Sequence, residues 1–453
     1  MQKLFEEVGS LDARCYKEFG LSEDILMEHA AEGIASYIRD NFAKNSKVTV
    51  VCGSGNNGAD GIACSRLLHV DYDVSIYYTK EPKSKMALLQ QKRSRAIGVK
   101  ETNEILASDV LVDAIVGTGF SGEFNLELKK LINKMNSLEA FKIACDVPSS
   151  GFYADMTLTM GALKKSMFLD ANKEFIGEFR VLDLGLSREI YETDTSWHLL
   201  DEQDLKLPTR ALKNTHKGSF GHLALACGSK SGASILSSKA ALRFGAGLVT
   251  LVGYENEMIP HSIMYSHELP YNTSALAIGM GLGDEFSDKE LAKFLNNSLP
   301  LIADADIFHM PIITEILKRK KLVLTPHAKE FVALLKRTKL ADISVEELQA
   351  NRFKYVEIFT KAYPEVTLLL KGANVIIAKN EEYFINPHGT SALAKGGSGD
   401  VLSGLIGALL AQGYEELDAA KNASLAHTTL AQSYKGADFS LTPEDLINGI
   451  GNL

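Results

Sequence analysis

Short, almost continuously apolar runs recur along the chain, separated by longer stretches with helical spacing. The first runs are Lys47 to Cys52, Val74 to Tyr78, Val110 to Val116 and Phe141 to Asp146. Runs of this kind read as strands buried on both faces, and the stretches between them, as around Arg66-Leu67-Leu68, read as helices. Leu4 to Ile38 also reads as helix, with Leu26, Met27, Ala30 and Ala31 on one apolar face. A Gly-rich loop is expected from Gly53 to Gly61. The alternation predicts an α/β fold with a parallel sheet covered on both sides, closing near Phe179 to Gly185.

From about Ser187 to Thr215 the chain has no long apolar period and contains Pro208, which places a domain boundary there. A second alternating series starts at His222 to Gly228. Further strands are expected at Leu248 to Val252, Ala275 to Gly279, Pro300 to Ala303, Leu322 to Thr325 and Thr367 to Leu370. Asn374 to Ala378 and Glu382 to Asn386, joined by Lys379-Asn380-Glu381, read as a hairpin. Helices at Ser398 to Gln412 and Glu416 to Tyr434 finish the chain. Two domains fit the length of 453 residues, which exceeds one ordinary core.

Charge and composition narrow the partners. A formal net charge of −9 gives no basic field for a nucleic-acid backbone. The apolar run from Val401 to Ala411 is too short for a bilayer and holds two glycines, Gly404 and Gly407. Met1 leads into Gln-Lys-Leu-Phe-Glu-Glu with no apolar signal core, so no membrane partner and a cytoplasmic location are expected. Cys15, Cys52, Cys64, Cys145 and Cys227 are odd in number and widely spaced, which suits reduced, buried thiols. A homo-oligomer is the expected assembly.

The first candidate chemistry is Gly53-Ser54-Gly55-Asn56-Asn57-Gly58, a G-x-G-x-x-G pattern between strand and helix. Glycines let the backbone approach a phosphate, and the helix start offers unpaired N–H groups. A hydride-transferring dehydrogenase would place a ribose-binding acid at the end of the next strand, where this chain reads Tyr78-Thr79-Lys80-Glu81. Asn56, Asn57 and Asp60 crowd one loop with side-chain oxygens, suited to a hydroxyl-rich ligand or an alkali cation. Two more loops, Asp113 to Gly122 and Asp146 to Gly151, follow strands at the same sheet edge, where open α/β sheets bind ligands. Any one of them could serve a turn; three together point to a site.

Gly-Asn-Asn-Gly-x-Asp-Gly, Asp-Ala-x-x-Gly-Thr-Gly and Asp-Val-Pro-Ser, preceded by Leu26-Met27-Glu28, resemble the NAD(P)H-hydrate epimerase domain of the YjeF N-terminal family, over residues 1–200. The resemblance implies a Rossmann-like fold. It also implies that Asn56, Asn57, Gly58, Ala59, Asp60, Gly117, Thr118, Gly119, Phe120, Ser121, Gly122 and Glu123 contact the hydrated nucleotide, with Asp146 at the reacting ring. A potassium ion on Asn57, Asp113 and Ser149 is implied as well. Ala59 stands where the family has glycine, and Ser150 lengthens its Asp-Val-Pro-Ser-Gly run by one residue.

In the second half, Gly396-Gly397-Ser398-Gly399-Asp400 opens the helix that runs through Val401 to Leu410. Consecutive N–H groups can converge there on an anion. Asp400 could be a dipole-stabilising acid; the functional reading is a general base beside a phosphoryl group in transfer. This Gly-x-Gly-Asp start resembles the ribokinase-like fold. Together with Ala241 to Thr250, Gly279-Met280-Gly281-Leu282-Gly283, Asp304-Ala305-Asp306, Thr325-Pro326-His327 and Lys371-Gly372-Ala373-Asn374, it resembles the ADP-dependent NAD(P)H-hydrate dehydratases over residues 208–453. That implies a substrate pocket lined by Ala246, Gly283, His327 and Asp400, and contacts to the adenine nucleotide from Lys371, Gly372, Ala373, Asn374, Val375 and Gly399. ADP with Mg²⁺ is the implied co-substrate. The family's Thr-Pro-His-Pro-Gly-Glu is here Thr325-Pro326-His327-Ala328-Lys329-Glu330.

The implied function is repair of hydrated NADH and NADPH: epimerisation at C6 by the first domain, and ADP-driven dehydration of the S epimer by the second, giving NAD(P)H, AMP and phosphate. A ribokinase-like kinase of a hydroxymethylpyrimidine or thiazole alcohol would use Asp400 but leave the first half idle. A non-catalytic first domain would have no need of Asn57, Asp113 and Asp146 together.

Overall fold

In the first half the strands are β1 (Gln2–Phe5), β2 (Lys47–Cys52), β3 (Asp73–Tyr78), β4 (Lys100–Thr102), β5 (Val110–Ala114), β6 (Phe141–Cys145), β7 (Met156–Met160), β8 (Leu163–Lys164) and β9 (Glu178–Leu182); the central ones form where β-branched and apolar residues cluster, whereas β4, at the sheet edge, is polar. These strands are seen in a computed structural model, which describes residues 1–118, 122, 124–211, 213–253, 259–283 and 286–453. The chain divides into two units, Lys3–Thr195 and Ser196–Leu453, the latter with Met1–Gln2.

The main sheet of the first unit has the order β4-β3-β2-β5-β6-β7-β9, every neighbour parallel. The order reverses between β2 and β5, so the loops after these strands flank the crevice where such sheets bind ligands. Their backbones abut: a Cβ on Gly53 would lie 1.9 Å from the Ile115 carbonyl oxygen. Only glycine fits there.

Three expectations for this half are corrected. The helix expected from Leu4 to Ile38 is strand β1 followed by helices Gly9–Glu18 and Glu23–Asn41. Gly20 turns the chain at φ 68°, and Ser22 caps the second helix by accepting from the Ile25 N–H at 3.3 Å. The Gly-rich loop is shorter than expected, because the helix Asn56–Leu68 already begins at Asn56. The strand expected to reach Val116 stops at Ala114.

The second unit contains β10 (Trp197–Leu199), β11 (His222–Cys227), β12 (Leu248–Gly253), β13 (Met264–Ser266), β14 (Ala275–Ile278), β15 (Leu301–Ala303), β16 (Leu322–Leu324), β17 (Val366–Leu370), β18 (Val375–Lys379) and β19 (Glu382–Asn386). They order as β13-β12-β11-β14-β15-β16-β17-β18-β19-β10. The strands from β13 to β17 run parallel; β18 and β19 form the expected antiparallel hairpin, and β10 lies parallel to β19. β10 arises within the stretch that read as linker. The order again reverses beside the first strand, between β11 and β14, and again a glycine fills the gap: a Cβ on Gly228 would lie 1.8 Å from the Leu282 carbonyl oxygen.

The helix Ser398–Ala411 runs through the core, buried along nearly its whole length. It packs against the helix Ser231–Arg243, and Gly404 lets the two backbones meet: a Cβ there would lie 2.3 Å from the Ser237 carbonyl oxygen. Ser237 Oγ in turn donates to the Asp400 carbonyl at 2.7 Å. Core packing thereby fixes the first turn of the helix that carries Asp400. All five cysteines are buried and free, as expected. Among the described residues no helix is long and apolar enough to cross a membrane.

Candidate functional sites

Asp146 follows the last residue of β6 and holds φ at 72°, a left-handed conformation that Asp tolerates better than most residues. This turn aims its buried carboxylate into a cavity of about 520 Å³ walled by Asp12, Gly53 to Asn57, Asp60, Ile115 to Thr118 and Met160. Lys164 Nζ donates to Asp146 Oδ1 at 2.5 Å, to Thr159 Oγ1 at 2.8 Å and to the Met160 carbonyl at 2.7 Å. Its three protons are all placed. Asp146 Oδ2 accepts from the Thr118 N–H at 3.3 Å. Burial pushes the Asp146 pKa up, but the Lys164 charge and these hydrogen bonds outweigh it and hold the carboxyl below the usual range.

Two further acids line the same cavity with the opposite tendency. Burial, reinforced by the Asp146 charge, raises Asp60 well above the usual range. Burial also raises Asp12, which accepts from Tyr191 Oη at 2.8 Å. Carboxyl groups in one cavity whose environments push their pKa values apart are the arrangement from which acid and base roles are drawn.

The expected residues divide as follows. Asn57, Asp60, Gly117, Thr118 and Asp146 meet at this cavity. A Cβ on Gly117 would lie 3.1 Å from Asp146 Oδ2 and 3.6 Å from Asn57 Cγ. Asn56 is at the rim and donates to Glu23 Oε1 at 2.9 Å. Gly58 is buried against the Gly53 carbonyl, and Ala59 turns away from the cavity into a cluster with Met27, Met86 and Ala87. The methyl in place of a glycine is thus absorbed by the core. Glu28, beside Met27, pairs with Arg66 and Arg93, so the Leu26-Met27-Glu28 motif is structural. Gly122 lines a smaller neighbouring cavity with Ser149; Gly119, Phe120, Ser121 and Glu123 lie outside the described residues. Sequence reasoning missed Lys164, Asp12 and Tyr191, which no motif marks.

Asp113 is fully buried at the end of β5. Its Oδ2 accepts from the Ser149 N–H at 2.7 Å, and Oδ1 from Ser149 Oγ at 2.8 Å and the Ile115 N–H at 3.2 Å. No lysine or arginine pairs with it among the described residues, and burial raises its pKa to about 6. Asn57 keeps a buried side-chain nitrogen without a partner; an amide's N and O are assigned by such contacts, and an oxygen there would suit a cation. These oxygens and the uncompensated carboxylate fit an alkali ion.

In the second unit, Gly397 opens the helix at φ 90°, leaving Asp400 as its third residue. Burial, then the Asp304 charge, raises the Asp400 pKa to about 6 against the pull of Lys371. Lys371 Nζ bridges Asp304 Oδ1 and Oδ2 at 2.7 and 2.9 Å, and Ser403 Oγ donates to Asp304 Oδ2 at 2.6 Å. A Cβ on Gly399 would lie 3.2 Å from Lys371 Nζ, so these two expected nucleotide contacts are neighbours. Gly283 donates its N–H to Asp306 Oδ2 at 3.1 Å. Lys371 and Ser403 occupy both oxygens of Asp304, and among the described residues no three acidic side chains are grouped to hold a metal by themselves, so a divalent cation here would arrive with the nucleotide's phosphates, near Asp306 and Asp400.

His327 caps the helix Ala328–Arg337: its Nδ1 accepts from the N–H groups of Lys329 and Glu330 at 3.1 and 3.3 Å, while Glu330 Oε2 accepts from the His327 N–H at 2.8 Å. Ala328 and Lys329 continue directly as helix. Burial raises Glu330 to about 7 and lowers His327. The methyl of Ala246 and the side chain of Val375 belong to the apolar core, whereas Gly372 and Ala373 are exposed and Asn374 is buried.

A family model described as NAD(P)H-hydrate dehydratase matches residues 223–451, and one described as YjeF-related protein N-terminus matches residues 23–166. The bifunctional NAD(P)H-hydrate repair enzyme of Helicobacter pylori is 41% identical, with 100% of each chain covered. That of Coxiella burnetii is 31% identical, covering 95% of this chain and 94% of its own. A solved ADP/ATP-dependent NAD(P)H-hydrate dehydratase of Bacillus subtilis, co-crystallised with ATP and Mg²⁺, is 26% identical, covering 56% of this chain and 97% of its own at a TM-score of 0.48.

Proposed function

Since the chain belongs to the bifunctional NAD(P)H-hydrate repair enzymes, we propose that its two units divide one repair between them. Residues 1–200, Rossmann-like, interconvert the C6 epimers of hydrated NADH and NADPH. Residues 208–453, ribokinase-like, dehydrate the S epimer at the expense of ADP. The observation that carries this reading is Asp400, a carboxyl raised to about 6 at a glycine-rich helix start beside Lys371.

Near neutral pH Asp400 is mostly ionised yet basic enough to take a proton. It removes the C6 hydroxyl proton as that oxygen bonds to the terminal phosphorus of ADP and AMP departs. Lys371 and the helix N–H groups hold the transferring charge. The ring nitrogen's electron pair then expels phosphate from C6, and loss of a C5 proton restores the dihydropyridine. A Mg²⁺ ion accompanying ADP, held by Asp306 and Asp400, would share the phosphate charge.

In the first unit, ionised Asp146 takes and returns the proton that ring opening and reclosure at C6 require. Asp12 and Asp60, both shifted upward by burial, line the same cavity. A potassium ion on Asn57, Asp113 and Ser149 would neutralise the buried Asp113.

The test is to incubate the protein with mixed NADH-hydrate epimers, Mg²⁺ and either ADP or ATP, following recovery of the reduced-nicotinamide absorbance. Full recovery, faster than spontaneous epimerisation allows, is expected with ADP. No recovery with either nucleotide removes the dehydratase; recovery of one epimer alone removes the epimerase.

A further inference from the structure

Beside the Asp146 cavity lies a second of about 540 Å³, and Thr79, Lys80 and Leu128 belong to the walls of both. Tyr77 and Asn103 give it ring and amide surface, and Lys80, Lys130 and Lys134 reach it with exposed side chains. None of these three lysines has an ion pair or hydrogen-bond acceptor for its ammonium among the described residues. Among the described residues two glutamates, Glu104 and Glu127, line the same cavity, so the three lysines leave an excess of positive charge there.

The place in the fold matters as much as the charge. Lys80 stands just past the end of β3, beside the strand that leads into the glycine-rich turn. In dinucleotide-binding sheets an acid near this point holds the 2′-hydroxyl of the adenosine ribose, and a basic group accommodates a 2′-phosphate. A dinucleotide consists of two halves of similar bulk. The two adjoining cavities, about 520 and 540 Å³, match that division.

Resting on the epimerase reading above, we infer that the second cavity receives the adenosine half of the hydrated dinucleotide, with Lys80, Lys130 and Lys134 drawing a 2′-phosphate. The first unit thereby favours NADPH hydrate over NADH hydrate. Charge-assisted hydrogen bonds to an exposed dianion suffice for a preference of about tenfold.

The experiment uses the full chain without ADP, so that the dehydratase is idle, and starts from one purified epimer of each hydrate. The expected result is a lower KM for NADPH hydrate, with the ratio of the two KM values moved about tenfold by the combined substitution Lys80→Gln, Lys130→Gln and Lys134→Gln. Equal KM values in the unsubstituted chain, or a ratio that the substitutions leave unmoved, overturn the inference. A second readout needs no variant: NADP⁺ is expected to inhibit epimerisation at lower concentration than NAD⁺, and equal potency overturns it too. Failure to epimerise either hydrate is a different result, which removes the epimerase reading and this inference with it.

Discussion

Lys164 Nζ lies 2.5 Å from Asp146 Oδ1, and the lysine that makes this contact is fully buried. Among the described residues neither charge has another partner of opposite sign in contact, so each is stable in place because of the other.

Replacing the lysine tests this dependence. Lys164→Met leaves a buried carboxylate uncompensated, a change that typically costs about 3–5 kcal/mol. At present the lowered pKa of Asp146 contributes stability above the usual carboxylate range, lost as pH falls through the lowered value. In the variant that contribution reverses sign at neutral pH. The acid limb of the epimerisation pH profile is therefore expected to move to higher pH, while dehydration of the S epimer in the other unit serves as the control for folding. An unmoved acid limb means that Asp146 is not the titrating base.

Dehydration is expected to fall on the acid side of about pH 6, where Asp400 takes up its proton and can no longer act as base. Asp400→Asn should reduce the rate by at least about a hundredfold and abolish this limb, measured as kcat/KM against pH. A variant that keeps the same limb assigns the titration to another group, such as Glu330, which burial raises to about 7.

His327 has a capping role that can be separated from any ligand contact. Asn is as good a helix cap, so His327→Asn should keep the melting temperature, whereas His327→Ala should lose about 1 kcal/mol, or about 2–4 °C. Dehydratase activity lost in both variants identifies a ligand contact. Activity that follows stability alone identifies a cap and nothing more.

Gly279 sits at φ 110° with the Asp304 carbonyl 1.7 Å from where a Cβ would stand. Gly279→Ala is expected to displace Asp304 and with it Lys371, lowering dehydration at least tenfold while epimerisation continues; about a tenfold loss needs only about 1.4 kcal/mol of misplacement. Equal loss of both activities would point instead to general misfolding.

Much of this was legible in the chain because a strand buried on both faces must be apolar throughout. Lys47 to Cys52 and His222 to Cys227 therefore read correctly without any partner in view. The loop that follows the first of them was legible because backbones meeting at a strand-order reversal exclude every residue but glycine, as at Gly53; Gly228 plays the same part in the second unit, but a lone glycine at a strand end gave no such signal. Lys164 was not legible. It belongs to a two-residue strand whose pairing with Phe5 is set by partners far off in the chain, and a lysine among apolar residues reads as surface. Asp12 and Tyr191 meet across 179 positions, beyond any local pattern. The break at Gly20 to Ser22 carried a signal, a glycine followed by a serine cap and two acids, which the strong apolar face around it obscured.

The left-handed backbone at Asp146 bears on how this site can decay. At φ 72° the residues that fit with least strain are Asp, Asn and Gly. The polypeptide would accept Asn or Gly, but the ammonium of Lys164 would then be stranded in the interior. A lineage that gives up this chemistry therefore cannot discard the acid alone without losing stability. It has to surrender both residues, Asp146 to Asn or Gly together with Lys164 to an uncharged side chain. That paired replacement is the scar by which a silent descendant of this unit could be told from a working one in sequence alone.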